Sequence, residues 1–538
     1  MRRNNAFSML LLAVFMLHAS AQLELLPIAA QSPEPGYGGF ENALAAIAET
    51  HDTAGMAVIG SCGDVQHEVL LGKRDIARSL PVTSDTHFRI ASVSKLVTGL
   101  AVLHLHDEGA LDLHQPAGAL LGFPLQNPDW PLSPIRIIDL LTHQSSIQDG
   151  ETYADFLWES YTSENPPPIS DLLQPGAQWH APNNWRQEPP GSFFAYSNLN
   201  YGLLGSIIEA ATQQRFDRYM HTTFLPLLDM EGSFNPADLA DIDQLAVLYR
   251  KLSGEWTPQF DHFEGVAPPD RELPSYIPGS NGLLFAPQGG LRTTARSLMK
   301  LVRLLQHNGH TGNAQLIQPE TMAFLLEPQW IFNGSNGDPY FGLYYAFGAG
   351  AHHTTNRPNE DVVVPGHFFT GHPGAAYGLA SNLYIRTGEG PDTAILFITN
   401  GVGTGLGFDA RSSFYTIETD VFEAFAHHIL APCMAQTSLN HPPETESAPA
   451  ASFQLLRPYP NPFNSQTRLS WEMNRPDQVR VSVHDTAGRL VRSLASAHYG
   501  PGKHHLSFDA SALSSGTYIV RFQSKNGLTQ TVSITVLK

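Results

Sequence analysis

The stretch FRIASVSKLVTGLAVLHLHDEGAL, starting at Phe88, constrains the fold more than any other. Past Ser92 its helical turns carry Leu96, Val97, Leu100, Ala101, Val102, Leu103 and Leu105, apolar on nearly every side. A helix without a polar face must be covered all round, so it belongs between layers. Yet Lys95 stands in its first turn, three residues after Ser92. Residues i and i+3 share a helical face, so the two side chains can touch. Burial disfavours the ammonium form, lowers the lysine pKa and leaves an amine able to accept a proton. A serine at a helix start has a free backbone N–H and the positive end of the helix dipole beside it; both favour an oxyanion on a bound carbonyl. Together these are the parts of an activated nucleophile.

FENALAAIAETHD has the spacing of an amphipathic helix, and GMAVIGSCGDVQHEVLLGK that of two strands around a tight turn. From about residue 90 to 330, helical patterns alternate with Pro/Gly-rich loops. NYGLLGSIIEAATQQRFDRYM and TARSLMKLVRLLQHNG are two such helices, the second capped by Gly309. GLASNLYIRTG and TAILFITNG follow as strands, and TIETDVFEAFAHHIL closes the unit as a helix. This order predicts an α+β fold over 41–432: an antiparallel sheet flanked by helices, plus a mostly helical lobe. Residues 433–452 are polar, aperiodic and rich in Pro and Ala, the composition of a linker. Over 453–538 the pattern changes to short alternating strands, TRLSWEM, VRVSVHD, HHLSFDA, TYIVRFQ and VSITVLK, which predict a small all-β sandwich.

At the start, Arg2 and Arg3 precede the apolar run FSMLLLAVFML and the small residues Ala19-Ser20-Ala21, so 1–21 is expected to be a signal peptide. That run is too short to span a bilayer, and no later segment is long and apolar enough, so no transmembrane span is expected in the mature chain. Export makes a Cys62–Cys433 disulfide permissible; two free thiols are the alternative. A net charge of −19 argues against nucleic acid or an anionic membrane as partner.

Two further segments carry chemistry. EPPGSFFAYSNLNYGLLG places Tyr196 and Asn198 after a Pro-Pro-Gly turn and before a helix. A tyrosine near a lysine can shuttle a proton, and an asparagine can hold a substrate amide or orient the lysine. FFTGHPGAAYGLASNLYI places His372-Pro373-Gly374-Ala375 just before a strand, where glycine allows close backbone approach. The second S-x-x-K, Ser297 to Lys300, falls inside a helix already under way, with the lysine expected on a solvated face. His104 and His106 sit at i and i+2, which do not face each other on a helix. They, and the doublets His352-His353 and His427-His428, are expected in solvated or capping roles and not as metal ligands. His143 is expected to be structural, and Ser94 lies off the Ser92–Lys95 face. The long aromatic loop DFLWESYTSENPPPISDLLQPGAQWHAPNNW is expected to shape the pocket.

The three segments, in this order, resemble the serine beta-lactamase and penicillin-binding family, in its class C beta-lactamase, DD-peptidase and esterase branch. FRIASVSK, IRIIDLLTHQSSI, PPGSFFAYSNLNYGLLGSIIE, APQGGLRTTARSLMKLV and ILFITNG all match in sequence order. The resemblance implies a beta-lactamase/transpeptidase-like fold and an acyl-enzyme on Ser92. Lys95 would share its proton, and Tyr196 would act as general base and as acid toward the leaving group. Asn198 would contact substrate and lysine, His372 and Gly374 would border the substrate, and the N–H groups of Ser92 and Ala375 would form the oxyanion hole. It implies no metal or organic cofactor, and a small-molecule or peptide substrate. The family's usual Lys-Thr-Gly is here His372-Pro373-Gly374. Without that permanent cation, an ester or uncharged amide is a more natural substrate than a penicillin or D-Ala-D-Ala peptide, both of which carry a carboxylate. Penicillin binding, beta-lactamase action and a non-catalytic binding module on the same fold are the alternatives. In the tail, RPYPNPFNSQTRLSW, HDTAGRLVRSL and SSGTYIVRFQ resemble the C-terminal sorting domains of type IX secretion substrates. That implies engagement of the export machinery, passage across the outer membrane, and a secreted or cell-surface protein. An accessory carbohydrate- or protein-binding sandwich is the other possibility.

Overall fold

The computed structural model describes residues 37–440 and 453–536, apart from positions 64, 389, 460, 462, 474–475, 485–488 and 525–528. The expected signal peptide and most of the expected linker lie outside the described residues. The chain divides into two compact units between Ser438 and Leu439.

The larger unit is built on a nine-stranded antiparallel sheet. Its strands are β1 (Gly55–Cys62), β2 (Val65–Asp75), β3 (Leu80–Pro81), β4 (Trp330–Ile331), β5 (Ala346–Phe347), β6 (His352–His353), β7 (Phe368–Ala376), β8 (Leu379–Thr387) and β9 (Thr393–Thr399). Their order is β3-β2-β1-β9-β8-β7-β6-β5-β4, with Met56 opposite Thr399 and Pro373 opposite Asn382. Both faces are covered, so the central strands are apolar throughout while still alternating sides. Met56, Val58, Ile395 and Phe397 face one core with α1 (Tyr37–Thr50) and α5 (Thr416–Phe425). Ala57, Ile59, Leu396 and Ile398 face the other, with α2 (Val93–Asp107) and α4 (Ala295–Gln306).

Helix α2 is buried along nearly its whole length, as its composition requires. It lies between the sheet and α3 (Asn198–Thr212). α3 ends at Gln213, which takes φ +58°, so the long helical pattern there breaks before the next short helix at Phe216. Gly202 and Gly205 make the outer face of α3 flat: a Cβ on Gly202 would stand 2.4 Å from the Leu283 side chain, and one on Gly205 2.9 Å from Pro287. The 281–288 segment therefore settles against α3, which brings Gln288 to the site. The closing helix continues past α5 through Ala426–Leu430 and Ala431–Asn440, into the stretch expected to be linker. That extra length carries Cys433 back to β1, where it is bonded to Cys62 with the Cα atoms 6.2 Å apart.

The smaller unit has a three-stranded sheet (Phe453–Tyr459, Gln466–Met473, Gly502–Asp509) and a four-stranded one (Leu490–Tyr499, Asp477–His484, Gly516–Ser524, Thr529–Val536). Trp471 and Phe508 from the first share a core with Val481, Val520, Phe522 and Ile534 from the second, which makes it a β-sandwich. The strand at Leu490–Tyr499 was not expected; its side chains are mostly exposed, so its alternation carries little apolar signal.

Candidate active site

A short strand, His87–Arg89, pairs with Arg292–Thr294 and delivers the chain to α2. Ala91 turns it sharply with φ +44°, and Ser92 follows as the N-cap of α2. A left-handed alanine costs about 1 kcal/mol or more, the kind of strain found next to reacting groups. Lys95 is fully enclosed. Its Nζ lies 3.1 Å from Ser92 Oγ, 2.8 Å from Asn198 Oδ1 and 2.9 Å from the Gln288 carbonyl oxygen. Burial pulls its pKa down to about 7, against a smaller opposing pull from Asp149. The structure thus brings together Ser92, Lys95 and Asn198.

Asp149 had no signal in the sequence beyond its place in SSIQDG. Its carboxylate accepts from Ser197 Oγ (2.8 Å), Asn198 N (3.0 Å), Leu199 N (2.9 Å) and Asn198 Nδ2 (2.8 Å). It satisfies the free donors at the start of α3. Because a carboxylate accepts only, it also fixes which end of the Asn198 amide faces Lys95.

The Tyr196 hydroxyl is enclosed beside Ser92 and Tyr344 without a hydrogen bond of standard geometry. Its ring lies 4.8 Å from Lys95 Nζ and is packed on Tyr340 and Tyr344. Burial drives the phenol pKa upward, with Ser92 opposing in part. A resting tyrosinate, which a general base at Tyr196 would require, is therefore disfavoured, while the adjoining Lys95 amine is drawn toward its neutral form. His143 sits beneath as expected, its Nδ1 accepting from Ser197 N at 3.2 Å and its ring 4.6 Å from that of Tyr196.

His372-Pro373-Gly374-Ala375 lies within β7, not before a strand. A Cβ on Gly374 would fall 2.9 Å from Ser92 N and 2.9 Å from the Ile90 carbonyl, so only glycine lets β7 pass this close to the nucleophile. His372, expected to border the substrate, is fully buried under Tyr196 and Phe347 and does not line the cleft. Burial, then nearby Lys95, pushes its pKa well down, so it is neutral.

The cleft in front of Ser92 has a volume of about 130 Å³. Its lining includes Tyr196, Tyr340, Phe341, Tyr344, Phe408 and Tyr415, with Pro373 to Ala375 and Glu418. Among the described residues, no lysine, arginine or histidine lines it. The long aromatic loop at 155–185 contributes none of these residues; the aromatic walls come from DPYFGLYY and FDARSSFY, which sequence reasoning passed over. A larger depression of about 270 Å³ between Pro116 and Pro134 holds no catalytic group.

The family model named Beta-lactamase matches residues 40–414. The chain belongs to the beta-lactamase family. A second family model, the secretion system C-terminal sorting domain, matches 457–536, so the family's domain here is joined to a tail for type IX secretion and the protein is destined for the cell surface or beyond. The chain is 32% identical over 161 residues to Protein flp of Staphylococcus aureus (strain COL), which spans 30% of this chain and 30% of that protein. It is 26% identical over 220 residues to Penicillin-binding protein 4* of Bacillus subtilis (strain 168), 40% of this chain and 42% of that protein. Among solved structures, a class C beta-lactamase from Rhodobacter sphaeroides superposes with a TM-score of 0.52 at 18% identity, covering 73% of this chain and 99% of that one. The hydrolase EstCE1 does so with 0.51 at 18%, covering 72% and 98%. At these identities the likeness speaks for the fold alone.

The other sequence candidates resolve simply. Ser297 Oγ accepts from Glu231 N, and Lys300 reaches exposed Asp229. Nδ1 of His104 and of His106 pairs with the backbone oxygens of Leu316 and Leu111. His352 and His353 are not solvated: they are buried in the sheet against Tyr384 and Thr370, and the Asp361 carboxylate lies 3.8 Å from His352. Ser94 Oγ accepts from Leu291 N.

Proposed function

We propose that this member of the beta-lactamase family is an exported serine hydrolase that cleaves an ester or uncharged amide through an acyl-enzyme on Ser92. The observation that carries the reading is the triple contact of Lys95. A neutral amine has two N–H donors and one lone pair. Asn198 Oδ1 and the Gln288 carbonyl are acceptors only and take the two hydrogens, which leaves the lone pair facing the Ser92 hydroxyl. The Ser92 proton passes to Lys95 as Oγ attacks the carbonyl carbon. The oxyanion is held by the N–H groups of Ser92 and Ala375. As the intermediate collapses, the leaving group takes the Tyr196 hydroxyl proton, and Lys95 returns its proton to the phenol oxygen. Water then repeats the sequence on the acyl-enzyme and restores Ser92. The set needs neither metal nor organic cofactor. His372 serves as packing under Tyr196, and the signal peptide at 1–21 starts the export that the tail completes.

Penicillin binding, suggested by the names of relatives, is a weaker reading, because nothing lining the cleft would offset a penicillin carboxylate. Hydrolysis of a short-chain nitrophenyl ester by wild type, lost by a factor of about 10³ or more in Ser92→Ala, is the expected result. An acyl adduct on the Ser92 peptide by mass spectrometry accompanies it. Turnover that survives Ser92→Ala sinks the proposal; a stable benzylpenicillin adduct without ester turnover moves the assignment to penicillin binding.

A further inference from the structure

The aromatic side chains of the cleft form a continuous wall. Ring centroids step from Tyr196 to Tyr340 (5.2 Å), to Phe341 (5.4 Å), to Phe408 (6.3 Å) and to Tyr415 (5.1 Å). Phe341 is 81% and Phe408 61% exposed, so the outer part of the wall is bare. Its backbone is strained to hold that position. Tyr340 and Phe341 take φ +50° and +59° and Gly342 +82°, a left-handed turn closed by Tyr344 N on the Pro339 carbonyl at 2.9 Å and anchored by Tyr340 N on Asp338 Oδ1 at 2.9 Å. Tyr340 is packed on Tyr196 and Tyr344, but Phe341, mostly in solvent, holds a left-handed conformation whose cost packing does not return. Bare aromatic area held at such a cost beside a nucleophile is the signature of a subsite whose occupant arrives with the substrate.

Which part of the substrate goes there follows from the head of the wall. Tyr196 is the proton donor to the leaving group, so the group that departs must lie next to its hydroxyl and hence along the wall. The charge of that group follows from the lining. Among the described residues the lining carries no cation and one carboxylate, Glu418, which is buried and raised by that burial to about 7, so it does not favour a second negative charge.

We infer that the Tyr340–Phe341–Phe408–Tyr415 wall is a leaving-group subsite for an aromatic or otherwise flat apolar alcohol or amine without negative charge. The inference rests on Ser92 being the nucleophile and Tyr196 the proton donor to the leaving group, and adds which side of the scissile bond carries the apolar group.

The test compares acetyl esters that share one acyl group: ethyl acetate, 2-naphthyl acetate and 4-acetoxybenzoate, with ethyl hexanoate to vary the acyl side instead. In wild type, kcat/KM for 2-naphthyl acetate should exceed that for 4-acetoxybenzoate by about tenfold or more. In Phe341→Ala and Phe408→Ala, both at exposed positions, the ratio of 2-naphthyl acetate to ethyl acetate should fall about tenfold, while the ratio of ethyl hexanoate to ethyl acetate stays put. An unchanged naphthyl ratio, a loss that follows the acyl chain, or equal use of 4-acetoxybenzoate overturns the inference and leaves the hydrolase reading standing. If no ester is turned over, the hydrolase reading fails and the leaving-group assignment falls with it.

Discussion

The proposed chemistry at Ser92 depends on keeping one amine neutral. Lys95 titrates near pH 7 in place of its usual 10.5, so the proton-accepting form is present above pH 7 and is lost below it. Ester kcat/KM is therefore expected to rise with pH along an acidic limb centred near 7 and then level off. Asp149 opposes that depression, because its negative charge favours the ammonium form. Asp149→Asn removes the charge, and the limb should move to lower pH. The same change loosens the Asn198 amide, and kcat should fall about tenfold. A purely structural Asp149 would lower kcat without moving the limb, which a pH–rate profile of the pair distinguishes. Ser92, Lys95 and Asn198 were legible because helix geometry makes i, i+3 neighbours and because a polar triplet after Pro-Pro-Gly marks a helix start. Asp149 was not, since a single aspartate in a loop gives no hint that it will cap a helix 49 residues on.

At the scale of elements, the sheet and its covering helices were readable because burial on both faces makes β1 and β9 apolar throughout, bounded by turns. The HPG segment was misplaced by one strand for a related reason. Proline and two glycines lower its strand propensity, yet the pairing of Phe368–Ala376 with Leu379–Thr387 overrides them. The bond from Cys62 to Cys433 closes a separation of 371 residues and ties the sheet centre to the last helix. Constraining so long a loop in the unfolded chain is worth about 6 kcal/mol by chain entropy. Reduction, or the Cys62→Ala/Cys433→Ala double variant, is expected to lower the unfolding free energy by that amount in denaturant titration. A fall in unfolding free energy of less than a quarter of this would assign the bond no stabilising part.

The whole molecule joins a catalytic unit to a sorting tail, each with its own core. Deleting 453–538 is expected to leave ester kcat/KM within twofold while the protein is retained inside the cell, as read by activity in medium against lysate. A large fall in kcat/KM would mean that the tail supports the site directly. The chain's net charge of −19 works against association with acidic polymers. Sequence showed the two units through the change from helical to strand spacing. It could not show the walls of the cleft, because they are assembled from turns at 340–344 and 408–418 that share no periodic pattern.

The position of β1 in the sheet bears on when this protein can exist. Met56 to Cys62 pair with residues 393–399, at the far end of the catalytic unit. A chain that emerges from its amino end leaves β1 without that neighbour until almost all of the unit has followed, and the core on either face stays open meanwhile. Contacts this distant in sequence close slowly. For a chain that carries a secretion tail, the catalytic unit therefore cannot close its sheet until residues 393–399 are available to β1.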